Sequence, residues 1–236
     1  MPRLIAPLIL LSLLAASPAH AIVKGSKSVQ ARYAVRLMGS RVCSGVVIAR
    51  NAIVTAAHCP RSMAVVVGGR TYRMAGVSTN TALDDGRRVA VSGDVVIWRL
   101  ATPLPPDVAV APIGEGSGDS YIIAGYGTTN EQSPGAFGTL HEAALIPQGP
   151  NTLVDPGRTG SIGASACFGD SGGPVLRGGM LVGVITRATH PSPHLACGHL
   201  TRWAPIIVLD STVAGGDAVT VQGAMADQAR ERPNEE

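Results

Sequence analysis

"ACFGDSGGPV", residues 166–175, is the stretch on which the reading of this chain turns. Three glycines and a proline surround one serine and one aspartate. Ser171 is then either a nucleophile or a residue of a glycine-rich turn between strands, since glycine and serine are ordinary turn residues. A lone Gly-x-Ser-Gly does not decide the matter, so the rest of the chain must.

The 236 residues suit one large all-β domain or two small ones. Hydrophobic residues make up 45% and aromatics only 3%, so the core has to be built from Val, Ile, Leu and Ala. β-branched residues come in short runs, such as Ile53-Val54-Thr55 and Val65-Val66-Val67, which favours strands. Strands are predicted at 34–38, 45–49, 52–56, 64–67, 89–91 and 95–100. A stiff crossing follows at Pro103-Leu104-Pro105-Pro106. A second set is predicted at 121–124, 143–147, 173–176, 181–186 and 200–204. Two clusters of short strands predict two β-barrels or sandwiches. The polar segment 214–236 reads as disordered.

The N-terminus reads as a secretory signal. Arg3 precedes a mostly apolar run at 4–16, and Ala19-His20-Ala21 forms a small-x-small cleavage site. The run is too short for an ordinary membrane span. A soluble, secreted or periplasmic product with no membrane attachment is expected after removal of 1–21. Removal takes away Arg3 alone, so the 19 basic residues fall by one against 16 acidic ones. That balance gives no reason to expect a nucleic-acid partner. Cys43, Cys59, Cys167 and Cys197 are an even number in an exported chain, which suggests disulfides. Four cysteines allow three pairings. The sequence-local one, Cys43 with Cys59 and Cys167 with Cys197, closes two modest loops.

Two further stretches bear on Ser171. In "IVTAAHC", residues 53–59, a β-rich run ends in two alanines before His58 and Cys59. In "GDVVIWRL", residues 93–100, Asp94 stands at the mouth of an apolar strand. Taken singly, His58 reads as a core or surface histidine and Asp94 as a turn residue. Asp84 and Asp85 lie beside Gly86, Arg87 and Arg88 and read as a loop.

Together these stretches resemble the chymotrypsin-like (trypsin-like) serine protease family. "TAAHC", "GDVVIWRL" and "GDSGGP" stand in the family's order, and "IVKG" at 22–25 is similar to its mature N-terminus. The order His58, Asp94, Ser171 differs from that of subtilisin and the α/β-hydrolases. The resemblance covers residues 22–205. It implies an all-β fold of two packed six-stranded antiparallel β-barrels with the active site between them, at 22–112 and 113–213. It implies Ser171 as nucleophile, His58 as base and Asp94 as the group that orients His58. The amides of Gly169 and Ser171 would form the oxyanion hole. Cys197 is paired with Cys167 in the family pattern.

The resemblance also implies an activation pair. Asp170 would receive the ammonium of a freed Ile22, and the predicted cleavage after Ala21 exposes Ile22 directly. The substrate pocket would comprise Ser165 at its base, Thr186, and walls at Ala188 and Gly198. Trypsin-type enzymes carry a carboxylate where Ser165 stands, so cleavage after Lys or Arg is disfavoured. An uncharged, small-to-medium or hydrophobic residue before the scissile bond is expected. Two features depart from the family. Thr186-Arg187-Ala188 replaces the usual Ser-Trp-Gly, and Arg187 would attract an acidic residue upstream of the cut. The C-terminal helix signature is unclear after Pro205. No cofactor or metal is expected, and the partners implied are a protein or peptide substrate of a monomer, with room for a protein inhibitor. Two rivals stand beside this reading. His190, His194, Cys197 and His199 would offer zinc ligands, and the same fold would serve a non-catalytic binding protein.

Overall fold

The computed structural model describes residues 21–29, 31–132, 137–160 and 162–209. The expectations for 1–20 and 214–236 lie outside them. The first strands are β1 (Ser26–Lys27), β2 (Ala34–Met38), β3 (Val42–Ala49), β4 (Ala52–Ala56), β5 (Ala64–Val67), β6 (Arg70–Tyr72), β7 (Met74–Ser78), β8 (Asn80–Ala82), β9 (Arg88–Ala90) and β10 (Val95–Leu100). Then come β11 (Tyr121–Gly125), β12 (His141–Gly149), β13 (Thr152–Val154), β14 (Pro174–Arg177), β15 (Met180–Thr189), β16 (Leu200–Pro205) and β17 (Ile207–Leu209). The described residues contain no helix.

The first barrel runs in the order β6-β5-β2-β3-β4-β10-β7. Its seven strands meet the six-stranded expectation in a specific way. β6 and β7 lie at the two edges of the sheet, and only Arg73 separates them in the chain. They act as one strand bent at Arg73, which carries the backbone from one edge to the other and closes the barrel covalently. β3 and β4 form its centre because nearly every position in them is small or β-branched and buried. Val46 faces Val54 and Val47 faces Ile53 across this pair. β10 then pairs with β4, placing Val95 opposite Ala56.

The second barrel closes by hydrogen bonds. Its order is β12-β11-β14-β15-β16-β13, and β13 returns to β12 with Ile146 opposite Val154. β1 is added outside β12. The barrel is filled by Ile123, Leu145, Leu153, Val175 and Ile185, with Ile22 among them. A larger apolar cluster is continuous from the first barrel, around Leu37, Ile53 and Trp98, to Leu176, Leu181 and Val184 of the second. The barrels therefore share a core as well as a cleft.

After Pro205 the chain forms a further strand. The N–H of Ile206 donates to the Val182 carbonyl at 3.0 Å. β17 then pairs with β9, Val208 opposite Val89, in a small sheet with β8. Both disulfides follow the sequence-local pairing, Cys43–Cys59 and Cys167–Cys197.

Candidate active site

His58 lies in the turn that ends β4, and Asp94 leads into β10. Because β10 pairs with β4, the two residues fall side by side. The Ala57 N–H donates to the Asp94 carbonyl at 3.0 Å, and the His58 N–H donates to Asp94 Oδ1 at 3.0 Å. His58 Nδ1 lies 2.7 Å from Asp94 Oδ2. Both carboxylate oxygens are thus committed to one residue. A carboxylate at Nδ1 fixes the proton there and leaves the lone pair on Nε2. The side chains are 48% and 41% exposed, so solvent screens the charge part of the contact while its orientation is kept. Cys59, disulfide-bonded to Cys43 of β3, pins the turn.

Ser171 lies on the loop before β14 and lines the same cavity of about 920 Å³ as His58, Asp94 and Gly169. Its loop is tied from both barrels. The Gly172 N–H donates to the Ile185 carbonyl at 2.7 Å, and the Ser44 N–H donates to the Ser171 carbonyl at 2.8 Å. Gly172 has φ +82°, and a Cβ there would lie 2.1 Å from Thr55 Oγ1 and 2.2 Å from the Ser44 carbonyl oxygen. No side chain fits, which is why this position is glycine. Gly169 has φ +94°, also outside the range L side chains prefer.

Ser44 is a residue that the motifs do not reveal. It is fully buried on β3, and its hydroxyl donates to the Gly169 carbonyl at 2.9 Å and accepts the Tyr126 N–H at 2.9 Å. It therefore orients the peptide that follows Gly169. The one hint in sequence is a small polar residue between Cys43 and Gly45 inside a strand.

Asp170 is fully buried. Its Oδ1 accepts the Gly127 N–H at 2.8 Å and its Oδ2 accepts the Cys167 N–H at 2.8 Å. A third backbone N–H comes from Ile22. Burial pushes the Asp170 carboxyl up to about 7, and the three N–H groups oppose the shift without cancelling it. Ile22 is fully buried and has φ +58°, while the Ala21 N–H donates to His141 Nδ1 at 2.9 Å. With the 21–22 peptide bond intact, an amide stands where the resemblance implies an ammonium.

The pocket residues divide. Thr186 and Ala188 line the cavity with Arg187, which is exposed. Ser165 is fully buried and, with Gly198, is not part of the lining. The Gly198 N–H donates to Ser165 Oγ at 2.6 Å, and Ser165 Oγ donates to the Ala166 carbonyl at 2.9 Å. Glu131 is a second residue that the sequence hides. Its carboxylate accepts the Ala196 N–H at 2.8 Å and the Cys197 N–H at 2.9 Å, holding two residues that line the cavity.

Other candidates are placed elsewhere. Asp84 and Asp85 lie in the turn between β8 and β9, where Asp84 accepts the Arg50 N–H and Asp85 pairs with Arg87. Cys197 is in its disulfide, and the rings of His190 and His199 meet edge to face at 5.7 Å. Among the described residues no three His, Cys, Asp or Glu side chains gather to hold a metal ion.

Known proteins resemble the chain in sequence and in fold. The chain is 28% identical to trypsin alpha of Drosophila melanogaster over 177 residues, covering 63% of this chain and 68% of that protein. It is 27% identical to human kallikrein-15 over 203 residues, covering 68% of this chain and 79% of that protein. Among solved structures, neuropsin, a serine protease expressed in the limbic system of mouse brain, superimposes with a TM-score of 0.58 at 21% identity, over 79% of this chain and 94% of its own. That last likeness concerns the fold. The trypsin family model matches residues 20–206, and the chain accordingly belongs to the trypsin family of serine-type endopeptidases.

Proposed function

We propose that the protein is a secreted endopeptidase that hydrolyses peptide bonds with His58, Asp94 and Ser171 through an acyl-enzyme. The observation that carries the reading is the two-point hold of Asp94 on His58, at a cavity that also contains Ser171. Asp94 keeps the Nδ1–H tautomer, so Nε2 accepts the Ser171 proton as Oγ attacks the carbonyl carbon. The carbonyl oxygen becomes an oxyanion held by the Gly169 and Ser171 N–H groups. One such donor typically contributes about 3–4 kcal/mol to the transition state. His58 then returns its proton to the leaving amine, and water repeats the sequence on the Ser171 ester. A fluorophosphonate probe should label Ser171 in the protein beginning at Ile22, and Ser171→Ala should abolish labelling. Equal labelling of the variant would refute the assignment.

The cleavage preference follows from the pocket. The acidic residue in the cavity's lining, Asp94, is held by His58, and Ser165 lies buried outside the lining with its hydroxyl bonded to Gly198 and Ala166. Ala188 narrows a wall where glycine is usual. An uncharged, small-to-medium or hydrophobic residue before the scissile bond suits this space, and burying it contributes roughly 1.5–3 kcal/mol. A peptide-library profile should show few cuts after Lys or Arg; a profile dominated by them contradicts the reading.

Export and activation are one event in this proposal. Signal peptidase cuts after Ala21 and frees Ile22. Positive φ is unfavourable for a β-branched residue, and cutting the 21–22 bond removes the constraint on Ile22. It also turns the Ile22 amide into an ammonium beside the buried Asp170.

A further inference from the structure

Glu131 lies beyond β11, in a segment ordered by its own side chains. Thr128 Oγ1 donates to the Asn130 carbonyl at 2.9 Å and accepts the Asn130 N–H at 3.2 Å. Asn130 Oδ1 accepts the Gln132 N–H at 2.9 Å. Such local side-chain bonds fix the backbone on both sides of Glu131. The start of the segment is fastened to the Ser171 loop, where the Gly127 N–H donates to Asp170 Oδ1 and the Thr128 N–H donates to the Phe168 carbonyl, each at 2.8 Å.

The Glu131 carboxylate fastens the same segment to the stretch between β15 and β16. Its two oxygens accept the Ala196 N–H at 2.8 and 2.9 Å, and Oε2 also accepts the Cys197 N–H at 2.9 Å. Two consecutive backbone N–H groups that converge in this way suit an anion, and charged acceptors bind them about twice as strongly as neutral ones. Cys197 is disulfide-bonded to Cys167, whose N–H donates to Asp170 Oδ2 at 2.8 Å. A path from Asp170 through Gly127, Glu131, Cys197 and Cys167 therefore returns to Asp170. Glu131 closes this ring on two residues that line the cavity of Ser171. The stretch it holds has need of an anchor: residues 190–199 form no strand, and Pro191 and Pro193 have no N–H to give to one.

We infer that Glu131 is a positioning residue for substrate. It sets the place of Ala196 and Cys197, and through them how sharply the cavity discriminates the residue before the scissile bond, while taking no part in the chemical step. The inference rests on the Ser171 acyl-enzyme reading above and adds to it a residue outside the cavity that governs binding inside it.

The test uses protein beginning at Ile22, the variants Glu131→Ala and Glu131→Gln, and peptides with Ala, Val, Leu or Phe before the scissile bond. In Glu131→Ala, KM for the best peptide should rise about tenfold, the scale of two N–H groups left without a partner, with kcat held within about threefold. The spread of kcat/KM across the four peptides should shrink to less than about a third of the parent's. Labelling of Ser171 by a small fluorophosphonate should stay within about threefold of the parent, because His58 and Asp94 are untouched. Glu131→Gln keeps one acceptor oxygen and should lie between the two, which a disordered site would not show. In a Ser171→Ala background, where no chemistry occurs, Glu131→Ala should raise the Kd of the best peptide by the same factor in calorimetry. An unchanged Kd, or parent-like KM and spread, overturns this inference alone. So does a proportionate loss of kcat and labelling at unchanged KM in both variants, which would make Glu131 a support of the fold only. A parent that neither cleaves the peptides nor takes the fluorophosphonate overturns the acyl-enzyme reading beneath, while the Kd comparison still decides for or against Glu131.

Discussion

Ser171→Ala should lower kcat by about 10⁶-fold, His58→Ala by a similar factor, and the double variant by no more than either alone. The reason is that serine and its base act as one unit, so removing either leaves nothing for the other to do. What survives is binding and the Gly169 and Ser171 amides, about 10³–10⁴-fold over water. Asp94→Asn should be milder, near 10⁴-fold, because it works through the tautomer of His58. Asn offers His58 Nδ1 either an amide N–H or a carbonyl oxygen, and the wrong choice turns Nε2 into a donor. Since Asp94 is 41% exposed, this tautomer effect should outweigh any loss of charge stabilisation. Single-turnover rates on one peptide, with circular dichroism to establish folding, give the comparison. Multiplicative losses in the Ser171, His58 double variant would mean that the two side chains act separately.

The second large effect is at the N-terminus. Protein that retains Ala21 before Ile22 should lose at least about 100-fold in kcat/KM relative to protein starting at Ile22, the scale of an uncompensated buried carboxylate. The two forms should also differ in how stability depends on pH. With the 21–22 bond intact, Asp170 is raised from 3.8 to about 7 by burial, so the folded state binds its proton more tightly than the unfolded chain does. That contribution is fully present below 3.8 and is lost as pH rises through about 7. It amounts to roughly 4 kcal/mol across the window. Freeing Ile22 should supply an ammonium that stabilises the charged carboxylate and should remove most of this dependence. Urea midpoints at several pH values should therefore fall more steeply toward neutrality in the extended form. Asp170→Asn should flatten the slope in that form. Parallel curves for the extended and free forms would show that Ile22 does not compensate Asp170.

The strands at 34–38, 52–56, 64–67 and 95–100 are legible because each is a short apolar run with at most one charged residue, and they coincide with β2, β4, β5 and β10. β6 and β7 are not, because their exposed, mixed residues are held by their neighbours and carry no pattern of their own. Cys43-Ser44-Gly45 breaks the apolar run, so β3 begins earlier than the sequence suggests. The same contrast holds at the site. His58, Asp94 and Ser171 are proposed to act through side chains whose chemistry marks them in sequence. Gly127 acts through a peptide N–H, and Ser44 reaches a carbonyl 125 residues away. Such contacts depend on tertiary placement, and no local pattern announces them. The pocket is intermediate: Thr186 and Ala188 lie in the cavity, while Ser165 is sealed by its own hydrogen bonds.

β17 sets an order of events for the folding chain. It pairs with β9, far earlier in sequence, so the first barrel's small sheet stays incomplete until residues 207–209 arrive. Closing so long a loop is slow compared with forming a hairpin. The half carrying His58 and Asp94 thus waits, partly open, for nearly all of the half carrying Ser171. A fragment that ends before residue 207 therefore lacks the contact that ties the end of the second half of the chain to the first.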